Sequence, residues 1–294
     1  MAKPKDPMNI IETIRAERKQ RAVTALIESR QLPLWGETKR GLPNVLARSA
    51  LFNARRGETN NDTREFYKNT PIASLANYEI SYRGEELRQD DASVFMQVLH
   101  LARQLPVGEL VQFTAYSMLK DLGWGTNSLA YKRLRECLER LAANTVKIAF
   151  RDESAGYGKS LIRSFAWVDS ASGEVLSRWV VELEKEIILL FADDAYSLIA
   201  WAERKLIGPR ATLTLWLHSY LATHGEPIPL SVAKYAELSE SGCQKLFHFR
   251  SQLKRALDRL ATIGFLESYA VTPADMVVVR RRSREARLEN LAAA

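Results

Sequence analysis

The stretch Leu230–Tyr269, LSVAKYAELSESGCQKLFHFRSQLKRALDRLATIGFLESY, decides the fold. Ser231 is a good N-cap for a short helix carrying Val232, Tyr235, Ala236 and Leu238, which ends in the polar run Ser239-Glu240-Ser241-Gly242. A longer helix is expected from about Gln244 to Ile263, with Leu246, Leu253, Leu257 and Leu260 on one face at helical spacing. Its opposite face carries Gln244, Lys245, His248, Ser251, Gln252, Arg255 and Arg259. Gly264 stops the helix, and Phe265–Tyr269 and Met276–Arg280 read as strands around the turn Thr272-Pro273-Ala274-Asp275. Two helices joined by a short Gly-bearing turn and followed by a β-hairpin make a winged helix, a DNA-binding arrangement.

Working outward, the chain contains this unit twice. LRECLERLA at Leu134–Ala142 answers LKRALDRLA at Leu253–Ala261. The surroundings agree as well: Thr114 caps a short helix to Leu122, Gly123–Asn127 make the turn, and Ser128–Ala143 is the second helix. Thr145–Phe150 and Ser160–Val168 are then expected as the strands of a first wing whose tip is Glu153–Gly158. A repeat of this kind sets the architecture. The expected fold class is α+β, with two tandem winged-helix domains over 61–190 and 191–294. A partly disordered N-terminal arm over 1–60 precedes them.

Between arm and first unit, Ala76–Tyr82 alternates like a strand, Arg83-Gly84 is expected to turn, and Asp90-Asp91 cap a helix to Leu105. Asp194–Ile207 and Arg210–Thr223 read as the two helices that open the second domain.

A hydrophobic content of 46% with 26% charged residues suits a globular protein, so disorder is not the whole-chain expectation. The net charge of +7 points to a polyanionic partner. Basic residues outnumber acidic ones in residues 1–60, and Arg280, Arg281, Arg282, Arg284 and Arg287 crowd the C-terminal end. Only Cys137 and Cys243 are present, one in each copy of the unit, so a reducing cytoplasm is expected rather than a structural disulfide. Residues 1–9 are charged and Pro-rich with no apolar signal region, and the longest apolar run, Ile187–Ala192, is too short to span a bilayer.

Catalytic chemistry finds little support. Gly156-Tyr157-Gly158-Lys159-Ser160 resembles the tail of a phosphate-binding loop, but Glu153 stands where the first glycine must be. Lys159 is then expected as a wing-tip lysine near DNA phosphate. The four histidines form no His-x-His pair, so the ligands of a metal-dependent nickase are missing. Asp90-Asp91 and Asp193-Asp194 precede helices and read as caps. No metal, no cofactor and no enzymatic activity are expected.

The outward helical faces are better candidates. Arginine reaches guanine bidentately and Gln or Asn adenine, whereas Lys suits phosphate. In the first copy the outward residues are Asn127, Ser128, Lys132, Arg133, Arg135 and Arg140, with Glu136 and Glu139 sharing the face. Those carboxylates oppose phosphate, so this copy is expected to position the protein and the second copy to read bases.

Several stretches together resemble the TrfA-type replication initiators of broad-host-range plasmids. They are QLPLW at Gln31–Trp35, ARSALFNARR at Ala47–Arg56, ISYRGEELRQDD at Ile80–Asp91, and FTAYSMLKDLGWGTNSLAYKRLRECLERL at Phe113–Leu141. The resemblance implies a tandem winged-helix protein that binds direct repeats (iterons) at a plasmid origin and helps open the duplex. It implies as partners double-stranded origin DNA, single-stranded DNA of the opened region, the host sliding clamp and the replicative helicase machinery, with no membrane. A monomer–dimer equilibrium is also implied. Gln31, Leu32, Leu34 and Trp35 match the family's clamp-binding pattern, with Pro33 in the small-polar position and Trp35 in the usual Phe position. Within a Pro/Gly-bordered arm, those apolar side chains are expected to be exposed and free to dock. The rivals are a transcriptional repressor of the same fold, a nickase, and a protein-interaction module that does not touch DNA.

Overall fold

The computed structural model describes residues 31–57, 63–75, 78–150, 156–168 and 173–282. It begins with β1 (Lys39–Pro43), α1 (Asn44–Ala47), β2 (Phe52–Asn53), β3 (Phe66–Ile72), β4 (Tyr78–Glu85), β5 (Leu87–Arg88) and α2 (Gln89–Ala102). The first helical pair follows as β6 (Leu110–Phe113), α3 (Ala115–Leu122) and α4 (Ser128–Ala142). Next come β7 (Thr145–Phe150), β8 (Gly156–Lys159), β9 (Ser164–Val168), β10 (Val175–Glu182), a 3-10 helix (Lys185–Asp194), β11 (Tyr196–Ala200) and α5 (Trp201–Ile207). The chain then forms α6 (Thr212–Ala222), β12 (Leu230–Ser231), α7 (Val232–Ser239), α8 (Leu246–Thr262), β13 (Leu266–Val271) and β14 (Met276–Arg281). Among the described residues no helix is long and apolar enough to cross a membrane.

The helix α2 is buried nearly all round, and its buried Gln89, Asp91, Gln97 and His100 are hydrogen-bonded among its apolar residues. Val94, Phe95, Met96, Val98 and Leu99 are fully buried. They anchor a first core that runs from Leu32 to Trp201. A second core joins Ala54 to residues from Ile207 to Val279, centred on α6 and α8.

A helix–turn–helix–hairpin unit occurs twice with the same strand order. The first sheet runs β6-β10-β9 and the second β12-β14-β13. In each, the strand before the helical pair hydrogen-bonds antiparallel to the later strand of the hairpin. The caps read from sequence are present: the Thr114 hydroxyl accepts from Ser117 N–H, Asn127 from Ala130, and Ser231 from Lys234.

Several expectations of the fold fail, mostly for tertiary reasons, and Asp193-Asp194 end a 3-10 helix ahead of β11 instead of capping a helix. The hairpin of the first unit is not 145–168. Strand β7 instead pairs with β4 and β8 in a four-stranded sheet ordered β3-β4-β7-β8, and the hairpin is β9–β10. Residues 145–159 are thus an insertion into the unit. Nor does Arg83-Gly84 turn: β4 runs straight through it to pair with β3. Gly84 sits at φ +145, where a Cβ would stand 2.8 Å from the Tyr82 hydroxyl. That close approach, rather than a turn, requires glycine.

The segment 196–200, expected as helix, is β11, because Lys39–Pro43 offers it an antiparallel partner. Leu246 is 42% exposed, since it lies in the first turn of α8 beyond the core, and Phe249 takes its place in the buried stripe. Finally, residues 31–57 are no arm. They form β1, α1 and β2 and enter the first core, whose last member is Trp201 rather than a residue near 190. Residues 1–30, the tip residues 153–155 and the tail beyond 282 lie outside the described residues.

Candidate nucleic-acid interface

In the second unit, α7 ends at Glu240 in the left-handed region (φ 42), and Gly242 (φ 76) completes the turn into α8. Phe249, Leu253, Ala256, Leu257 and Leu260 bury one side of α8 against the second core. Gln244, Lys245, His248, Ser251, Arg255 and Arg259 are exposed on the other side, and Gln252 is half-buried at its margin. Arg259 reaches the Leu206 carbonyl at 3.4 Å. Among the described residues, Lys245, Arg255 and the neighbouring exposed Lys254 enter no salt bridge. This face is therefore mainly cationic, and its one carboxylate, Asp258, accepts from the Tyr269 hydroxyl rather than bridging a cation among the described residues. Lys254 was not singled out from sequence, although adjacency to Arg255 was a signal for it. Arg250 binds Asp275 in the β13–β14 turn, which fastens that hairpin to the helix.

The first unit presents a different face. Lys132 is exposed, with Glu136 3.7 Å away. Arg133 lies 3.3 Å from Asp90 and stacks over Trp124 with its guanidinium 4.2 Å from the ring centroid. Arg135 lies over Trp167 at 4.6 Å and 3.7 Å from Glu139. Arg140, expected to face outward, is buried and bonded to Asp91 at 3.0 Å. Aromatic faces and carboxylates thus hold most of this helix's arginines. Asn127 and Ser128 are exposed at the start of α4. Lys159 is not on a hairpin tip: it ends β8 and pairs with Glu186 at 3.5 Å, because the 145–159 insertion joins the other sheet.

Behind α4 lies a buried ionic knot. Arg64 binds Asp90 at 2.9 Å and Asp91 at 2.6 Å, and Asp91 also accepts the Arg88 N–H at 2.8 Å. Burial alone would raise the Asp90 carboxyl, but Arg64, then Arg133 and Arg140, outweigh it and hold it well below the usual range. Burial, with Asp90 beside it, pushes Asp91 up. Asp90, Asp91 and Cys137 bring ligand atoms within 4.8 Å of one another. Their carboxylates already face three arginines, however, and burial pushes the Cys137 thiol up, away from the thiolate a metal needs. The cluster fits a tether for α4 better than an ion site.

The two units touch through polar groups. Ala54 N–H donates to the Ser239 carbonyl at 2.7 Å, and Thr212 Oγ1 donates to the Ala54 carbonyl at 2.7 Å. Arg55 and the Tyr67 hydroxyl both reach Glu240 at 3.3 Å, in the turn between α7 and α8. Arg204 on α5 is buried and bridges Gln89 and Ser93 of α2 to Leu215 and Ser219 of α6. Burial pulls its pKa down to about 9, so it remains a cation at pH 7.

The stretch Gln31–Trp35 contradicts the expectation of a free docking peptide. Leu32 and Trp35 are 2% and 7% exposed, whereas Leu34 is 69% exposed. Trp35 stacks on Phe191 at 6.1 Å and donates its indole N–H to His100 Nδ1 at 3.1 Å. Gly41 lets the indole approach, since a Cβ there would stand 2.7 Å from the ring. The first core supplies the burial that the sequence around this stretch did not reveal.

Comparison with known proteins agrees with this architecture. A solved structure of domains 2 and 3 of RctB superposes with a TM-score of 0.53 at 12% identity, covering 83% of this chain and 99% of that one. The shared fold is a mixed α/β arrangement. The plasmid replication initiator protein TrfA of Escherichia coli is 34% identical over 251 residues, which is 84% of this chain. The chain spans 63% of that relative's length. The family model described as TrfA protein matches residues 13–281. The chain belongs to the TrfA protein family.

Proposed function

We propose that this chain is a plasmid replication initiator, acting in the cytoplasm without catalysis. On this reading both helix–turn–helix–hairpin units are winged helices that bind iterons of double-stranded origin DNA. Bound copies strain the adjacent duplex, and host replication proteins are recruited to it. The observation that carries the reading is the outward face of α8, where Lys245, Lys254 and Arg255 stand exposed with no salt bridge among the described residues. Such a face suits the major groove, with Arg255 towards base edges and the lysines towards phosphate. The tethered arginines of α4 support a division of labour in which the first unit mainly positions and the second reads.

Arg255→Ala tests it. Binding to an iteron duplex should weaken by about 1–3 kcal/mol, with one base position relaxed, while binding to random duplex hardly changes. Equal losses on both duplexes would reduce Arg255 to a phosphate contact. Supplying the protein in trans to a plasmid bearing the candidate origin separates an initiator, which sustains replication, from a repressor, which only binds.

A further inference from the structure

Each helix–turn–helix places a large apolar side chain mostly in water at the start of its second helix, and in α8 the adjacent Leu246 is partly exposed as well. Phe247, in the first turn of α8, is 71% exposed, and Leu129, in the first turn of α4, is also 71% exposed. Neither belongs to a buried stripe. Phe247 precedes the buried Leu253 by six residues, which at 3.6 residues per turn puts it about 120° around the helix, on the same outward side as Ser251 and Arg255. Its ring meets that of its exposed neighbour His248, centroids 5.6 Å apart. The exposed polar residues nearest Phe247 along the chain are Gln244, Lys245, His248 and Ser251, and those nearest Leu129 are Thr126, Asn127, Ser128 and Lys132. A hydrophobic protein surface covering either residue would also strip water from these polar and cationic groups without pairing them.

A different surface satisfies both requirements. The major groove offers hydrogen-bond acceptors and phosphates beside one kind of apolar group on a base edge, the C5-methyl of thymine. We propose that Phe247 and Leu129 are specificity-determining residues, each covering the methyl of a thymine at a fixed position in the recognised duplex. This rests on the DNA-binding reading above and adds to it a base identity for each helix. Apolar packing is well suited to the task, because a methyl has no hydrogen bond to offer.

Deoxyuridine is the probe, since it removes the methyl and leaves the base pair unchanged. The wild-type protein first selects a duplex from a random pool, and each thymine of that duplex is then replaced singly by deoxyuridine. Replacement at one thymine should weaken wild-type binding about fourfold, the loss expected for one buried methyl-sized group. Phe247→Ala should bind the parent duplex about as weakly and be indifferent to deoxyuridine at that position. Leu129→Ala should lose sensitivity at a different thymine. Both variants should melt with the wild type, because both side chains are already in water.

A flat deoxyuridine scan on a duplex that the protein does select would overturn this proposal alone. So would sensitivity that persists in Phe247→Ala, or a change in its oligomeric state in place of its base preference. Failure to select any duplex would overturn the DNA-binding reading and this proposal together.

Discussion

Trp35 and Leu34 are neighbours with opposite fates, and the difference lies in what faces them. The indole of Trp35 fills a space between Phe191, Tyr196 and Gly41 and hydrogen-bonds His100, while Leu34 points to water. Trp35→Ala should therefore destabilise by about 3–5 kcal/mol, and Leu34→Ala by less than about 0.5 kcal/mol. Urea denaturation of the two variants checks this, and a Trp35→Ala midpoint equal to the wild type's would contradict the burial. The same contact sets a pH dependence. His100 Nδ1 accepts from an indole that can only donate, and Nε2 lies 3.1 Å from Glu37. Burial, then Arg40 and Arg103, lower its pKa to about 4. A depressed histidine pKa means that the unfolded state takes up the proton first. Stability is thus fully present above about pH 6.5 and lost as pH falls towards 4. The melting temperature should fall through that window, and His100→Gln should flatten the fall. A slope unchanged in the variant would assign the effect to other groups. None of this was legible in residues 31–35 themselves: apart from Gly41, the partners are 65 to 161 positions away in sequence, and local punctuation by Pro33 and Gly36 suggested an arm.

At the scale of elements, what could be read depended on whether a helix or strand carries its own reason to exist. Helices α3, α4, α7 and α8 are amphipathic and capped by Thr114, Asn127 and Ser231 or stopped by left-handed turns, so their existence and order were legible. Several strands were legible too, with β4, β7, β13 and β14 close to where alternation and turn residues put them, but beyond the β13–β14 hairpin their pairing was not, since a strand needs a partner and the chain offers several. Tyr196–Ala200 joins Lys39–Pro43, and Thr145–Phe150 joins Tyr78–Glu85, pairings that no local pattern announces. The outward polar face of α8, proposed above to meet DNA, lies where the helical spacing put it, and among the described residues its Lys245 and Arg255 enter no salt bridge. That of α4 was misread, because Trp124, Trp167, Asp90 and Asp91 intercept its arginines. Lys132 and Arg133 should accordingly behave differently. Lys132→Ala should reduce the salt slope of DNA binding by about one. Arg133→Ala should leave that slope nearly intact and instead lower stability by about 1 kcal/mol, through loss of the Trp124 and Asp90 contacts. Titrating binding against salt, alongside denaturation of each variant, tells them apart. Equal slope changes would mean that Arg133 leaves its tether on binding.

The whole molecule depends on how two cores are joined. Reading two bases or phosphate clusters at once requires the second helices of both units at a fixed separation, and a loose linker would not supply it. Here the join includes a polar seam, buried at Arg204 and half-buried at Arg55 and Glu240. Arg204 ties the carbonyl and side chain of Gln89 and the hydroxyl of Ser93 in the first core to Leu215 and Ser219 in the second, while Arg55 and Tyr67 hold Glu240 beside the turn into α8. A buried arginine served only by neutral acceptors is an expensive way to fill space, and a hydrophobic residue of similar volume is often as stable or more so. Its geometric value is that five directed hydrogen bonds admit one relative orientation. Arg204→Ala should lower stability by about 3 kcal/mol, through the cavity and the acceptors left unpaired. It should also uncouple the cores, so that a single calorimetric transition in the wild type divides into two. Arg204→Met, which refills the volume, should recover much of the stability and little of the coupling. If the methionine variant restores a single transition, packing rather than hydrogen bonding joins the units. If both variants melt in one transition like the wild type, the seam is not what holds the two helices in register.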